Sequence, residues 1–297
     1  MKSVKMMSTM LGMRVAAATL FLLAASLRMS GADTKAEDVV ARHLDSIGAA
    51  EVRSAAKTRI VQGKSHYKIV VGGSGELEGT SALVSQGGKA VLMMKFANTD
   101  YRGEQFVTDG DKVSIAAATS SHRRSSLGEF VHSQDQIVSE GLIGGVLTTS
   151  WALLNLDENK PKLNFDGEKK VDGRPAYQLT YHSKKKDDLT VLLYFDAENY
   201  RHVMTTYEIE LATGQARFSD APGASATLSA RQKQTRYTIE ERFSDFKTTD
   251  GITLPTKDAI HFTEELQNGT TNVYEWDLNL EEVSNNQPVD PRNFQVK

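Results

Sequence analysis

Seven histidines, at positions 43, 66, 122, 132, 182, 202 and 261, are the side chains of this sequence best suited to moving protons near neutral pH. None forms the H-x-x-x-H pair of a helical zinc site, and the chain has no cysteine. A thiol nucleophile, a Cys-ligated metal and a lipidated N-terminal cysteine are therefore excluded. Three carboxylate pairs, Asp187-Asp188, Glu240-Glu241 and Glu264-Glu265, have the chemistry of an acid and a base. Neighbours on a strand point to opposite faces, however, and Asp187-Asp188 falls in a charged turn, so solvated surface is the expectation for all three. No G-x-S-x-G elbow is present. Val61-Gln-Gly63-Lys64-Ser65 imitates the end of a phosphate loop, but the loop's first glycine is replaced by Thr58 and no helix follows. Gly72-Gly73-Ser74-Gly75 lacks the third spaced glycine and the helix of a dinucleotide site, so both stretches read as turns or breaks. Arg123-Arg124 could meet a lipid headgroup; an exposed loop is the plainer reading.

The elements that would have to position such groups are mostly strands. From Phe165 to Leu211 the period is two. Tyr177, Leu179 and Tyr181 share one face, then Leu189, Val191, Leu193 and Phe195, then Val203, Thr205, Tyr207, Ile209 and Leu211. Turns fall at Asp172-Gly173, in the charged run Lys184 to Asp188, and at Asp196 to Asn199. Such a sheet must cover its apolar face, and what covers it is the functional question.

Upstream, Thr34-Lys-Ala-Glu37 has the form of a capping box, followed by Val39, Val40, His43, Leu44 and Ile47 at helical spacing and by Gly48 as a stop. His43 lies on the apolar stripe and reads as a satisfied interface histidine. Strands follow at Arg59 to Val61 and His66 to Val71, broken at Gly63, then at Leu77 to Gln86, Ala90 to Phe96, Phe106-Val107 and Val113 to Ala118. No helix-length segment separates them, which requires antiparallel pairing. Between Ser125 and Leu156 the pattern becomes helical. Leu127, Phe130 and Val131 suggest a short helix, and Ile137, Leu142, Ile143, Val146, Leu147, Trp151 and Leu154 a longer one weakened by Gly144 and Gly145. Ala212 to Gln232 reads as a mobile excursion; strands resume at Tyr237 to Phe243, Ile252 to Phe262 and Val273 to Leu280, before a tail punctuated by Pro288 and Pro291.

At 297 residues and 39% hydrophobic, the chain can bury a sizeable core. Residues 1–32 differ: Lys2, Lys5 and Arg14 precede the apolar run Val15 to Leu27, and Ser30-Gly31-Ala32 offers small residues for cleavage, the order of a signal peptide. That segment holds four basic and no acidic side chains, so its removal takes the net charge from −3 to −7. An acidic chain has no electrostatic footprint for nucleic acid. The mature product, a single domain over 33–297, is expected outside the cytoplasm and free in solution.

The order of motifs supports a resemblance. Phe106-Val107-Thr108-Asp109-Gly110-Asp111-Lys112, Tyr177-Gln178-Leu179, Leu193-Tyr194-Phe195-Asp196, Phe243-Ser244-Asp245-Phe246 with Asp250-Gly251-Ile252-Thr253-Leu254-Pro255, and the end Val283 to Phe294 together resemble the LolA/LolB-like superfamily of outer-membrane lipoprotein-sorting proteins over most of residues 33–297. The resemblance implies a mainly β fold with covering helices: a strongly curved antiparallel sheet, an incomplete β-barrel, under an α-helical lid. It also implies a noncatalytic periplasmic carrier of lipid or lipoprotein acyl chains, with an inner-membrane donor and an outer-membrane acceptor, acting as a monomer without metal or cofactor. The apolar cavity is then expected to be lined by Phe130, Leu142, Val146, Leu147 and Trp151 from the lid and by Leu179, Tyr181, Leu193 and Phe195 from the sheet. The family's lid-latching arginine has no motif-matched counterpart, and Arg59 and Arg102 stand as candidates. A sensor domain of the same fold that binds a lipidated or extended peptide, and a hydrolase with an unrecognised site, are the alternatives.

Overall fold

The computed structural model describes residues 35–118, 124–154, 156, 160–184, 188–212 and 234–296. The expected signal peptide, Thr34 of the capping box, Arg123, Asp187 and all but the first residue of the 212–232 excursion lie outside these. Lys35 takes the N-cap position of the first helix and makes no side-chain cap bond.

Helices α1 (Ala36–Ile47) and α2 (Ala50–Ala55) come first. Strands β1 (Thr58–Val71), β2 (Glu76–Gln86), β3 (Lys89–Phe96), β4 (Gly103–Thr108) and β5 (Val113–Ala117) follow as a meander. Then come α3 (Ser126–Ser133), α4 (Gln136–Ser139) and a 3-10 turn at Gly145–Leu147. A second meander runs through β6 (Lys162–Val171), β7 (Arg174–His182), β8 (Thr190–Asp196), β9 (His202–Leu211), β10 (Thr235–Thr249), β11 (Ile252–Glu265) and β12 (Thr271–Asn285).

All these strands join one curved antiparallel sheet in the order β5-β4-β3-β2-β1-β12-β11-β10-β9-β8-β7-β6, open between β5 and β6. The chain thus starts mid-sheet, runs out to one edge, crosses to the opposite edge, and returns to pair β12 with β1. The crossing segment must pass over the sheet. It is the helical stretch between β5 and β6, with α3 against β5, α4 against β4 and the 3-10 turn against β11. Its apolar side chains join the main core with those of the strands, which makes it a lid on the apolar face.

The sheet's inner face is apolar by simple alternation: Tyr237, Ile239 and Phe243 on β10, Ile260 and Phe262 on β11, and Trp276, Leu278 and Leu280 on β12 are buried in the main core. The hairpin turns have the expected chemistry. Asp172-Gly173 and Asp250-Gly251 both take positive φ at each residue (50° and 80°, 51° and 76°), the backbone that short two-residue hairpins favour.

Two expectations are corrected. Gly63 does not break β1; the strand runs through it with a register shift against β12. A Cβ there would lie 2.0 Å from the carbonyl oxygen of Asn279, so glycine allows the two strands to approach at the irregularity. Nor do Ile137 to Leu154 make a long helix. α4 stops after Ser139, and Gly141, Gly144 and Gly145 take φ of 66°, 78° and 45°, which turn the chain back on itself until Ala152 N–H reaches the carbonyl of Gly141. The apolar spacing is that of a folded-back lid segment, which buries Leu142, Ile143, Val146, Leu147 and Trp151 without a long helix and leaves Leu154 half-buried.

The tail also does more than extend. Its 3-10 turn at Pro291–Phe294 packs on β3, where Phe294 joins Val91 and Val107 in a small cluster apart from the main core.

Candidate ligand-binding site and its lid

The lid and the sheet meet through the residues expected to form the cavity. Phe130, on α3, sets its ring 5.9 Å from Tyr237 and 5.6 Å from Phe262. Leu142 precedes the 3-10 turn that carries Val146 and Leu147, and Trp151 follows it. Leu179 and Tyr181 on β7 pair with Leu193 and Val191 on β8, and Phe195 lies 4.8 Å from His43. All nine candidates are buried and belong to one core. The structure brings lid and sheet residues together as packed side chains, and the grooves described below are lined by others.

Polar bonds pin the lid along its length. The guanidinium of Arg59, only 3% exposed on the inner face of β1, donates from Nη1 to the carbonyl of Val146 at 2.6 Å and from Nε to Asn285 Oδ1 at 3.0 Å. Burial pulls its pKa down to about 10. Of the two arginine candidates, Arg59 is thus the one on the lid; the Nε of Arg102 is buried without a hydrogen bond. Glu241 on β10 accepts from Gly144 N–H at 2.7 Å and from the Tyr207 hydroxyl at 3.1 Å. At the far end Glu140 accepts from Tyr181 Oη at 2.7 Å, Ser183 Oγ at 2.6 Å and Lys184 N–H at 3.1 Å. Thr149 N–H donates to Ser85 Oγ at 2.9 Å.

Glu241 and Glu264 overturn the expectation of solvated carboxylate pairs: both are buried, whereas Glu265 is exposed and Glu240 half-exposed beside Arg242. The sign was available in the alternation, since Glu241 shares the phase of Tyr237, Ile239 and Phe243. Burial and the neighbouring Asp258 push the pKa of Glu241 well up, and burial alone raises that of Asp258 to about 8. Both oxygens of Asp258 lack hydrogen bonds. Near α3, burial lifts Glu104 to about 7 against the opposing bonds from Ser125 and Tyr101. Arg124 is bound up with Glu129, its Nε 3.2 Å from Oε1, and does not form a free basic patch.

His43 behaves as the apolar stripe suggested. Trp151 Nε1–H donates to its Nε2 at 3.2 Å, which leaves Nδ1 to carry the proton toward the Tyr200 carbonyl at 3.1 Å. Burial brings its pKa down to about 4 and also lowers that of His202, whose ring stacks on Trp151 at 4.8 Å. These are neutral imidazoles that hold the lid's tryptophan. Among the described residues no group of three or more His, Cys, Asp or Glu side chains is placed to hold a metal ion.

A groove of about 600 Å³ opens beside the lid between α1, α2 and the ends of β1 and β2, with Leu44, Ile47, Ala56, Arg59, Thr149 and Leu154 among its walls. A second, of about 270 Å³, shares Leu44 and continues along α1 to Val40, Leu156 and Leu163. Among the described residues no helix is long and apolar enough to cross a membrane.

No protein-family model and no curated protein sequence matches the chain. Among solved structures it is similar to a LolA superfamily protein from Nitrosomonas europaea, at 13% identity and a TM-score of 0.45 over 88% of this chain and 98% of that one. It is also similar to a DUF1329 family protein from Desulfovibrio piger, at 12% identity and 0.40 over 87% and 96%. A third similar structure is a domain from Vibrio parahaemolyticus assigned to outer membrane lipoprotein sorting, at 13% and 0.41 over 86% and 97%. The likeness is one of fold.

Proposed function

We propose that this protein is a noncatalytic carrier that shelters the acyl chains of a lipid or lipoprotein against the inner face of its sheet. It would work in the periplasm, taking its cargo from an inner-membrane donor and passing it to an outer-membrane acceptor. The lid position described is then the closed one. The observation that carries this reading is the construction of the lid: an irregular segment with three left-handed glycines, held over an apolar sheet by bonds from Arg59, Glu241 and Tyr181 rather than by a long packed helix.

The energetics favour exchange. Leu142, Val146, Leu147 and Trp151 each contribute about 1.5–3 kcal/mol by burial, so lifting them costs on the order of 10 kcal/mol. A long acyl chain laid in their place regains about 0.8 kcal/mol per methylene, also on the order of 10 kcal/mol in total. The two nearly cancel, so cargo can enter and leave without nucleotide. The nine candidate residues would line the opened space.

The test is Leu147→Glu. A carboxylate at a position that is 0% exposed with the lid closed weakens the lid and puts charge into the acyl site. The expected result is loss of binding to a palmitoylated peptide with an unchanged strand signal in circular dichroism. Binding equal to wild type, in a folded variant, removes the lid from the cargo site.

A further inference from the structure

Resting on that carrier reading, we infer that the groove beside the lid binds the anionic headgroup and adjoining methylenes of a cargo acyl chain whose remainder lies beneath the lid, with Arg59 and Lys57 as headgroup ligands. The chemistry they recognise is a carboxylate or phosphate at the end of a long apolar tail.

One buried charge of the groove has no counter-ion among the described residues. Arg59 is buried to 3% exposure, and its bonds go to a backbone carbonyl and an asparagine amide; among the described residues no carboxylate pairs with it. A buried cation is costly unless an anion balances it, and burial is the cause of its lowered pKa. Arg59 nonetheless forms part of the wall of the 600 Å³ groove, so an anion in the groove can reach it.

The other walls say what kind of anion. Lys57 is exposed on the same groove; its backbone is engaged, the N–H by Asn286 Oδ1 and the Ala55 carbonyl and the carbonyl by Gly87 N–H, while among the described residues no carboxylate pairs with its ammonium. Arg53, the third cation there, is already committed: its Nη1 donates to the carbonyls of Leu44, at 2.7 Å, and Gly48, and lies 3.8 Å from Asp45. Apart from Ser54, Gln86 and Thr149 the remaining surface is apolar, with Leu44, Ile47, Ala56 and Leu154, and Leu44 is shared with the second groove, lined by Val40, Leu156, Pro161 and Leu163 with Glu37 at its side. A small inorganic anion would leave this trough empty, and a neutral lipid would leave Arg59 unbalanced. One molecule with both parts satisfies both.

The site also has a consequence for the lid. Arg59 holds the Val146 carbonyl, and an anionic head that draws the guanidinium toward itself competes with that bond. Headgroup recognition and lid release are then one event.

The test is calorimetric titration of the mature chain with palmitate, palmitoyl lysophosphatidate, neutral monopalmitoylglycerol and inorganic phosphate, repeated with Lys57→Gln and Arg59→Gln. The anionic lipids should bind roughly tenfold or more tighter than the neutral one, the scale of a charge-assisted hydrogen bond in a dry site. The preference should shrink in Lys57→Gln, an exposed position whose substitution leaves the fold intact, and vanish in Arg59→Gln. Equal binding of anionic and neutral lipids overturns the headgroup site and leaves the carrier standing. Phosphate that binds as tightly as the lipids makes this a free-anion site and overturns the inference too. If no lipid binds at all, the carrier reading itself falls.

Discussion

Replacing Arg59 with methionine separates the stability of the lid from that of the sheet. The variant removes the donor at 2.6 Å from the Val146 carbonyl and the one at 3.0 Å from Asn285. Each hydrogen bond to a charged group is worth roughly 1.5–3 kcal/mol. Loss of the first should raise the open population of the lid by about 10- to 100-fold. The sheet has a compensating gain. A guanidinium pKa brought down to about 10 by burial marks a cost of burying the charge, which methionine, apolar and unbranched, does not bear. The thermal midpoint should therefore stay within a few degrees of wild type. Hydrogen exchange read peptide by peptide is the assay, because the amides of Gly145, Leu147 and Thr148 are bonded within the lid itself. Faster exchange across residues 141–152 with unchanged protection of β10 to β12 is the expected outcome. Unaltered lid exchange, or a loss of protection spread over the whole sheet, would refute the assignment of Arg59 as a latch.

Asp258→Asn should change how stability depends on pH. The folded carboxyl, raised from 3.8 to about 8, keeps its proton while the unfolded one has lost it. Its favourable contribution is complete below pH 3.8 and declines until the folded group ionises near pH 8, so the variant should gain on wild type in denaturant midpoint from pH 5 to 8 and no further above it. A constant difference across that range would show that Asp258 is ionised in the fold. Gly141→Ala should destabilise the lid by about 1–3 kcal/mol, since the residue has φ of 66° and a Cβ would lie 1.9 Å from the Ser150 carbonyl oxygen. Limited proteolysis between α4 and β6 should become faster while the strands remain resistant.

The strands were legible because alternation and the Asp-Gly turns are local signals. The phase of Leu179, Tyr181, Leu193 and Phe195 placed them on the inner face, where the structure has them. The position of a lid segment was legible as well, from the change of period after Ser125. Its shape was not: residues at spacings of three and four satisfy a helix or a folded-back turn alike, and the glycines at 141, 144 and 145 decide for the turn through close approaches to Ser150, Leu83 and His202 that local sequence does not reveal. The pairing of β1 with β12 is also non-local, and it sets Asn285 beside Arg59. Adjacency in sequence does not make Glu240 and Glu241 a pair, because each strand position is buried or exposed by its own phase. Asp258 follows the same rule.

Acyl chains entering beneath the lid are the central claim, and native mass spectrometry of the gently purified protein tests it most directly. A population carrying the mass of one acylated molecule, or unliganded protein that acquires one when a palmitoylated peptide is added, is the predicted result. Protein that is empty as purified and stays empty with the palmitoylated peptide present would contradict it.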